Sequence, residues 1–96
     1  MAKKPIPIHK PSPQARFYEL SNSACTGQHV VQQVKAARPM YEEDTGMSAT
    51  ILALHTEDWK CLNEADREQI GKDTGLKVKR ASAGSLLQGE FMLDVD

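Results

Sequence analysis

The apolar residues of this chain are grouped in short segments, and the longest uninterrupted apolar run is the four residues from Ile51 to Leu54. A transmembrane helix needs about 20 apolar residues, so the sequence predicts no membrane-spanning segment. A chain of 96 residues is long enough for one domain at most. A chain of this length can bury enough surface for a modest core without a metal or a disulfide.

The first 14 residues contain prolines at positions 5, 7, 11 and 13 and few apolar side chains. Proline lacks an amide donor and pushes the preceding residue toward extended geometry, which excludes a helix or a central strand here. We therefore predict a disordered, basic, Pro-rich arm over residues 1–14 and a single folded domain over residues 15–96. The arm is either a docking element for a partner or a simple mobile terminus.

Four segments have the composition or periodicity of β-strands. Aromatic and branched side chains predict a strand over residues 16–21, and a buried apolar run predicts the central strand over 48–55. Imperfect alternation after Gly75 predicts a solvent-edged strand over 76–81. The clearest period-two pattern of the chain predicts a last strand over 90–96.

A fifth segment, residues 29–36, fits two kinds of structure. Val30, Val31 and Val34 fall at helical spacing, whereas the paired β-branched residues and the short length favour a strand. We predict a strand, with a helix as the alternative. Pro39 is expected to end the element in either case.

The most distinct helical pattern lies between residues 57 and 73. Trp59, Leu62 and Ile70 share one arc of a helix, and Asp66 falls inside the same arc. Burying an unpaired carboxylate costs several kcal/mol, so a break at Asn63, which would cap a second helix, is the more favourable solution. The sequence predicts two short helices, 57–62 and 64–73, or one kinked helix.

Together these segments predict an α+β fold. A small, mainly antiparallel β-sheet of four to five strands packs against one kinked or broken helical segment, preceded by the disordered arm. The predicted core consists of Phe17, Leu20, Val31, Ile51, Leu54, Val78, Phe91 and Leu93 on the sheet side, and Trp59, Leu62 and Ile70 on the helical side.

Charge is distributed unevenly along the chain, although the formal net charge is only −1. Residues 1–38 hold six Lys or Arg and a single acid, whereas residues 39–75 hold nine acids and three bases. This asymmetry indicates either a basic arm that contacts an acidic partner or two ends of one surface that attract each other. The complementary halves also permit a homodimer.

The residues best suited to bind zinc are Cys25, His29, His55 and Cys61, but their spacing matches no standard zinc site. We predict free, buried thiols and no metal. The sequence contains no glycine-rich phosphate loop and no recognisable catalytic set, so we predict no cofactor and no enzyme activity. Free thiols together with the lack of an export signal predict a cytoplasmic protein.

These observations favour a small non-enzymatic protein-protein interaction module, such as a regulator, inhibitor or adaptor, that binds another protein through a sheet edge and an acidic helical face. The alternative is a nucleic-acid-binding protein that uses the basic arm and a basic strand. The predicted partner-binding residues are Lys3, Lys4, Lys10, Arg16, Glu57, Asp58, Glu64, Glu68, Phe91 and Leu93, and the residues for nucleic acid are Lys77, Lys79 and Arg80.

Overall fold

A computed structural model describes residues 8–20 and 26–96 of the chain. In those two ranges, no helix is long and apolar enough to cross a membrane. The elements in chain order are β1 (Ile8–His9), β2 (Arg16–Glu19), α1 (Gly27–Thr45), β3 (Ile51–Leu54), α2 (Thr56–Cys61), α3 (Glu64–Thr74), β4 (Lys77–Ala81) and β5 (Glu90–Asp94).

The strands form one five-stranded sheet in the order β1-β4-β3-β5-β2. β4 is parallel to both of its neighbours, β1 and β3, whereas β5 is antiparallel to both β3 and β2. The α+β class is confirmed, but the mainly antiparallel sheet was a wrong prediction, because the sheet is mixed. The physical reason is that α2 and α3 connect β3 to β4, and a helical crossover of this kind joins parallel strands.

Two predicted positions in the sheet have different outcomes. β3 is the central strand, as the apolar run in residues 48–55 predicted, and its four residues are all buried. β4 was predicted as a solvent-edged strand, but it lies between β3 and the two-residue strand β1. β1 pairs with β4 through Ile8 and His9, which belong to the segment that was predicted to be disordered.

Residues 29–36 belong to helix α1, so the predicted strand was wrong. Thr26 caps the helix by accepting a hydrogen bond from the amide of His29 at 3.3 Å. The buried residues of α1 recur at helical spacing and form one stripe that packs on the sheet, which satisfies the valines without a strand. The residues of this stripe are Val30, Val31, Val34, Ala37 and Tyr41.

Pro39 was expected to end this element, yet α1 continues past it to Thr45. The Pro39 side chain is exposed, so the hydrogen bond that proline cannot donate is missing on the solvent side of the helix. Gly46 ends α1 instead, since its φ of 70° takes the chain into the left-handed region, and its amide donates to the carbonyl of Glu42 at 2.8 Å.

The predicted break in the second helical segment is confirmed. The side chain of Asn63 accepts a hydrogen bond from the amide of Asp66 at 2.7 Å and so caps α3. Arg67 then fixes α3 against α2: its guanidinium lies 4.4 Å from the centre of the Trp59 ring and donates to the carbonyls of Trp59 and Leu62 at 3.2 and 2.8 Å.

The core has a large part under the helices and a small part on the opposite sheet face. Phe17 was predicted in the core, but its side chain is 47% exposed. Side chains alternate along a strand, so Phe17 and Leu20 cannot share a face, and Tyr18 and Leu20 face the helices instead. The smaller cluster on the face without helices consists of Ala15, Ala53, Ala81, Leu86 and Met92.

The disordered arm is not confirmed over residues 8–14, because these residues contact the sheet. Ser12 donates from its backbone amide to Asp94 at 2.8 Å, and its hydroxyl also donates to the Asp94 carboxylate. His9 Nε2 lies 2.6 Å from the same carboxylate. The segment that leads from β1 to β2 is therefore attached to the face of the sheet that the helices leave open.

Candidate interaction site at the sheet edge

The sheet order makes β2 a terminal strand with β5 as its one neighbour among the described residues. The sequence instead suggested the last strand, β5, as the edge that binds a partner. β5 lies between β3 and β2, and Phe91 and Leu93 are buried in the core. Both are therefore core residues, which corrects the prediction that they contact a partner.

The register of β2 against β5 shows which backbone groups of β2 point outward. Leu20 donates its amide to the carbonyl of Gly89 at 2.7 Å, in the same register that pairs Tyr18 with Phe91. Hydrogen-bonded and non-hydrogen-bonded pairs alternate in an antiparallel ladder. The amide and carbonyl groups of Phe17 and Glu19 therefore point away from β5, toward the open side of the sheet.

Phe17 and Glu19 thus supply four outward backbone groups, and no hydrogen bond from the described residues engages any of them. At the start of the strand, Arg16 donates from its guanidinium to the carbonyl of Ala15 at 2.9 Å, while the Ala15 amide donates to Ser12 at 3.0 Å. These two bonds close the edge before Phe17. We define the four groups of Phe17 and Glu19 as the β2 edge.

The side chains at the β2 edge differ between the two faces of the sheet. Phe17 and Glu19 are exposed on the face without helices. Tyr18 points to the helical side, where its ring lies 5.7 Å from that of Phe91. Burial, and after it the charge of Asp44, raises the pKa of the Tyr18 phenol above its ordinary value. Tyr18 is therefore a neutral residue that anchors β2 to the core.

The predicted acidic contact residues lie far from the β2 edge in the sheet order. Glu57, Glu64 and Glu68 are exposed on α2 and α3, while Asp58 is partly buried. Both helices contact β4, which is separated from β2 by β3 and β5. The acidic helical face and the β2 edge are thus two separate surfaces.

The basic contact residues do not form one surface either. Lys10 is exposed between β1 and β2, and Arg16 lies in β2 itself. Lys3 and Lys4 lie outside the described residues.

The predicted nucleic-acid residues are divided by the geometry of β4. Alternation along the strand places Lys77 and Lys79 on one face and Arg80 on the other. The ammonium group of Lys77 lies 2.8 Å from the carboxylate of Asp96, and this contact lowers the pKa of Asp96. The three basic side chains therefore do not present a continuous face to phosphates.

The cysteine and histidine residues do not form a described zinc site. Cys61 is disulfide-bonded and exposed, which corrects the expectation of a free, buried thiol. Cys25, the other cysteine of the chain, lies outside the described residues. His55 caps α2 by accepting the amide of Glu57 at 3.1 Å. Within residues 8–20 and 26–96, no three His, Cys, Asp or Glu side chains are grouped to hold a metal ion.

A buried polar cluster lies on the sheet face without helices. Asp94 is fully buried and accepts hydrogen bonds from His9, from the amide and hydroxyl of Ser12, and from the amide of Val95. Burial alone would raise the pKa of Asp94, but these hydrogen bonds outweigh burial and hold the pKa below its ordinary value. The cluster contains Ser, His and Asp, yet both Ser12 and His9 bond to the carboxylate. It has the geometry of an anchor and lacks the Ser-to-His contact of a nucleophile and base.

An open groove of about 440 Å³ lies between α1 and α3. Five of its six lining residues have polar or charged side chains. The three residues whose buried polar atoms lack a hydrogen-bond partner among the described residues, Tyr18, Tyr41 and Asp58, do not line it. The groove therefore has weaker features of a binding site than the β2 edge. It is lined by Gln28, Val31, Gln32, Lys35, Gln69 and Asp73.

Comparison of the chain with protein-family models, with curated proteins and with solved structures found no match. The sequence indicated the neighbouring Arg16 as a partner contact, but neither of the two residues of the β2 edge. Phe17 and Glu19 were missed because a terminal strand is defined by the order of the whole sheet. The alternation of exposed and inward side chains over Arg16–Glu19 was the one local signal.

Proposed function

We propose that this protein is a non-enzymatic interaction module that binds an extended strand of a partner protein at the β2 edge. The observation that carries the proposal is the set of four outward backbone groups of Phe17 and Glu19, which have no partner among the described residues. An added strand would satisfy these groups, and its side chains would contact Phe17 on the open face.

The character of the edge supports a specific contact of modest strength. Natural sheet edges are usually protected by charges, prolines or short length. The β2 edge is short and carries Glu19, but it also exposes the large apolar side chain of Phe17. A partner strand fits this edge if it brings apolar side-chain atoms beside Phe17 and places no second carboxylate directly opposite Glu19.

Two other surfaces have less support. The acidic helical face remains a proposed second contact for a basic partner, although a single partner would then have to reach from β2 to the helices over β4. We rank nucleic-acid binding lower, because Lys77 and Arg80 lie on opposite faces of β4. The cytoplasmic location, predicted in part from free thiols, remains a proposal. The disulfide at Cys61 weakens it, because disulfides are rare in strongly reducing compartments.

A proline substitution tests the proposal at one backbone group. Glu19→Pro removes an outward amide and leaves the β2-to-β5 hydrogen bonds intact, because the amide of Glu19 does not face β5. The matched control, Glu19→Gln, removes the charge and keeps the amide. Both variants should melt within a few degrees of the wild type.

The assay is affinity capture from a lysate of the source organism, with the wild type and both variants as bait. We expect proteins that bind the wild type and the Gln variant but not the Pro variant. The proposal is wrong if the Pro variant captures the same proteins in the same amounts.

A further inference from the structure

We propose that the strand bound at the β2 edge is β2 of a second copy, paired antiparallel about a two-fold axis at Tyr18. This inference rests on the proposed function and names the partner. The result is a symmetric dimer with a continuous ten-stranded sheet.

In a symmetric antiparallel pair, outward residues must lie opposite outward residues. If Tyr18 lies opposite its own copy, Phe17 lies opposite Glu19 of the second copy, and Glu19 opposite Phe17. Each such pair exchanges two hydrogen bonds. The eight outward groups of the two edges are then all satisfied by four hydrogen bonds, with none left over.

The two neighbouring registers are worse. If Phe17 lies opposite its own copy, Glu19 lies opposite Ala15, whose amide and carbonyl are already bonded to Ser12 and Arg16. If Glu19 lies opposite its own copy, two carboxylates face each other directly, which is destabilising. The register about Tyr18 is the one that avoids both defects.

The register about Tyr18 also keeps like charges apart. In the proposed register Arg16 lies opposite Leu20 of the second copy, and no like charges are directly opposed. On the open face, the exposed ring of Phe17 covers the stem of the facing Glu19.

The interface is small, because it consists of three facing residues on each strand. Standard specific interfaces bury about 1,200–2,000 Å², and a short edge pairing falls below that range. We therefore expect a weak dimer that is dissociated at about 10 µM and substantially formed at about 1 mM protein. Sedimentation velocity at the two concentrations measures this directly.

Cysteine cross-linking tests the register. Residues in a hydrogen-bonded antiparallel pair have Cα atoms about 5.5 Å apart, within disulfide range. A mixture of Phe17→Cys and Glu19→Cys proteins at 1 mM should therefore form a disulfide-linked heterodimer under mild oxidation. Neither protein alone should cross-link, because each cysteine lies diagonal to its own copy, at about 7–8 Å. Glu64→Cys mixed with Lys72→Cys controls for random collision.

The outcomes separate the dimer from the proposed function. The dimer is supported if the mixed cross-link forms and if Glu19→Pro, but not Glu19→Gln, remains monomeric at 1 mM. It is overturned if the wild type remains monomeric at 1 mM, or if Phe17→Cys cross-links by itself. In those cases a lysate partner that is lost only with the Pro variant would still support strand binding at the β2 edge. If no such partner is found either, both the dimer and the proposed function are refuted.

Discussion

Replacement of Asp94 by asparagine tests whether the segment between β1 and β2 is anchored as the structure describes. Asp94 is fully buried, and each of its two oxygens accepts two hydrogen bonds. Oδ2 accepts from His9 Nε2 at 2.6 Å and from the Ser12 amide at 2.8 Å. Oδ1 accepts from the Ser12 hydroxyl and from the Val95 amide, the latter at 2.8 Å.

The size of the effect follows from these contacts. Asparagine keeps one acceptor oxygen and replaces the other with a donor, which then faces the amide of Ser12 or of Val95. At least one donor loses its partner, and the remaining bonds lose the charge. Hydrogen bonds to charged groups contribute about 1.5–3 kcal/mol each, so we expect a loss of about 2–4 kcal/mol in the free energy of unfolding. This is a large fraction of the total of roughly 5–14 kcal/mol for a domain of this size.

Urea unfolding followed by tryptophan fluorescence at pH 7 measures the change, and a thermal melt should show Tm lowered by roughly 10–30 °C. Asp96→Asn is the matched control, because Asp96 is an exposed carboxylate that contacts Lys77 on the surface. We expect no measurable change in that variant. If Asp94→Asn is as stable as Asp96→Asn, the anchoring of residues 8–14 to the sheet is refuted.

Three further predictions concern stability. The depressed pKa of Asp94 means that its ionised form stabilises the folded state, so this contribution is present above about pH 4 and is lost as the pH falls through the lower folded pKa. Urea midpoints measured at decreasing pH should therefore decline less in Asp94→Asn than in the wild type, and equal declines would contradict this role of Asp94. Trp59→Ala removes the buried ring under Arg67 and should lower the free energy of unfolding by about 3–5 kcal/mol in a denaturant melt, whereas a loss below about 1 kcal/mol would show that the ring is not in the core. Asn63→Ala removes the cap of α3 and should cost about 1 kcal/mol, a value that Asn63→Asp should largely restore if the side-chain oxygen is the cause.

The sequence was most informative where a local conflict had one solution. Asp66 would have been buried in a straight helix, and the cap at Asn63 resolves that conflict in the structure as predicted. The sequence was misleading where the same residues are compatible with two kinds of structure. The valines of α1 fit a strand or a helix, and the contact of the helix with the sheet decides between them. Pro39 was wrongly expected to end this element, because the cost of the hydrogen bond that proline cannot donate depends on which side of the helix faces solvent.

The sheet order was not predictable from local patterns, and it determines the site. The pairing of Ile8 with Arg80 joins residues at opposite ends of the chain, and nothing near Ile8 in the sequence indicates it. β5 has the clearest strand pattern in the chain, which suggested an edge, but β2 covers it and is itself the terminal strand. The sequence therefore indicated Phe91 and Leu93 as edge contacts, whereas the sheet order indicates Phe17 and Glu19.

Amide hydrogen exchange at β2, resolved by NMR, tests whether the β2 edge is the interaction site. In the dilute protein, we expect slow exchange at Tyr18, whose amide faces β5, and fast exchange at Phe17 and Glu19, whose amides face outward. At about 1 mM protein, or with a captured partner bound, Phe17 and Glu19 should gain protection while Tyr18 is unchanged. If Phe17 and Glu19 stay unprotected in every complex the protein forms, the β2 edge is not its interaction site.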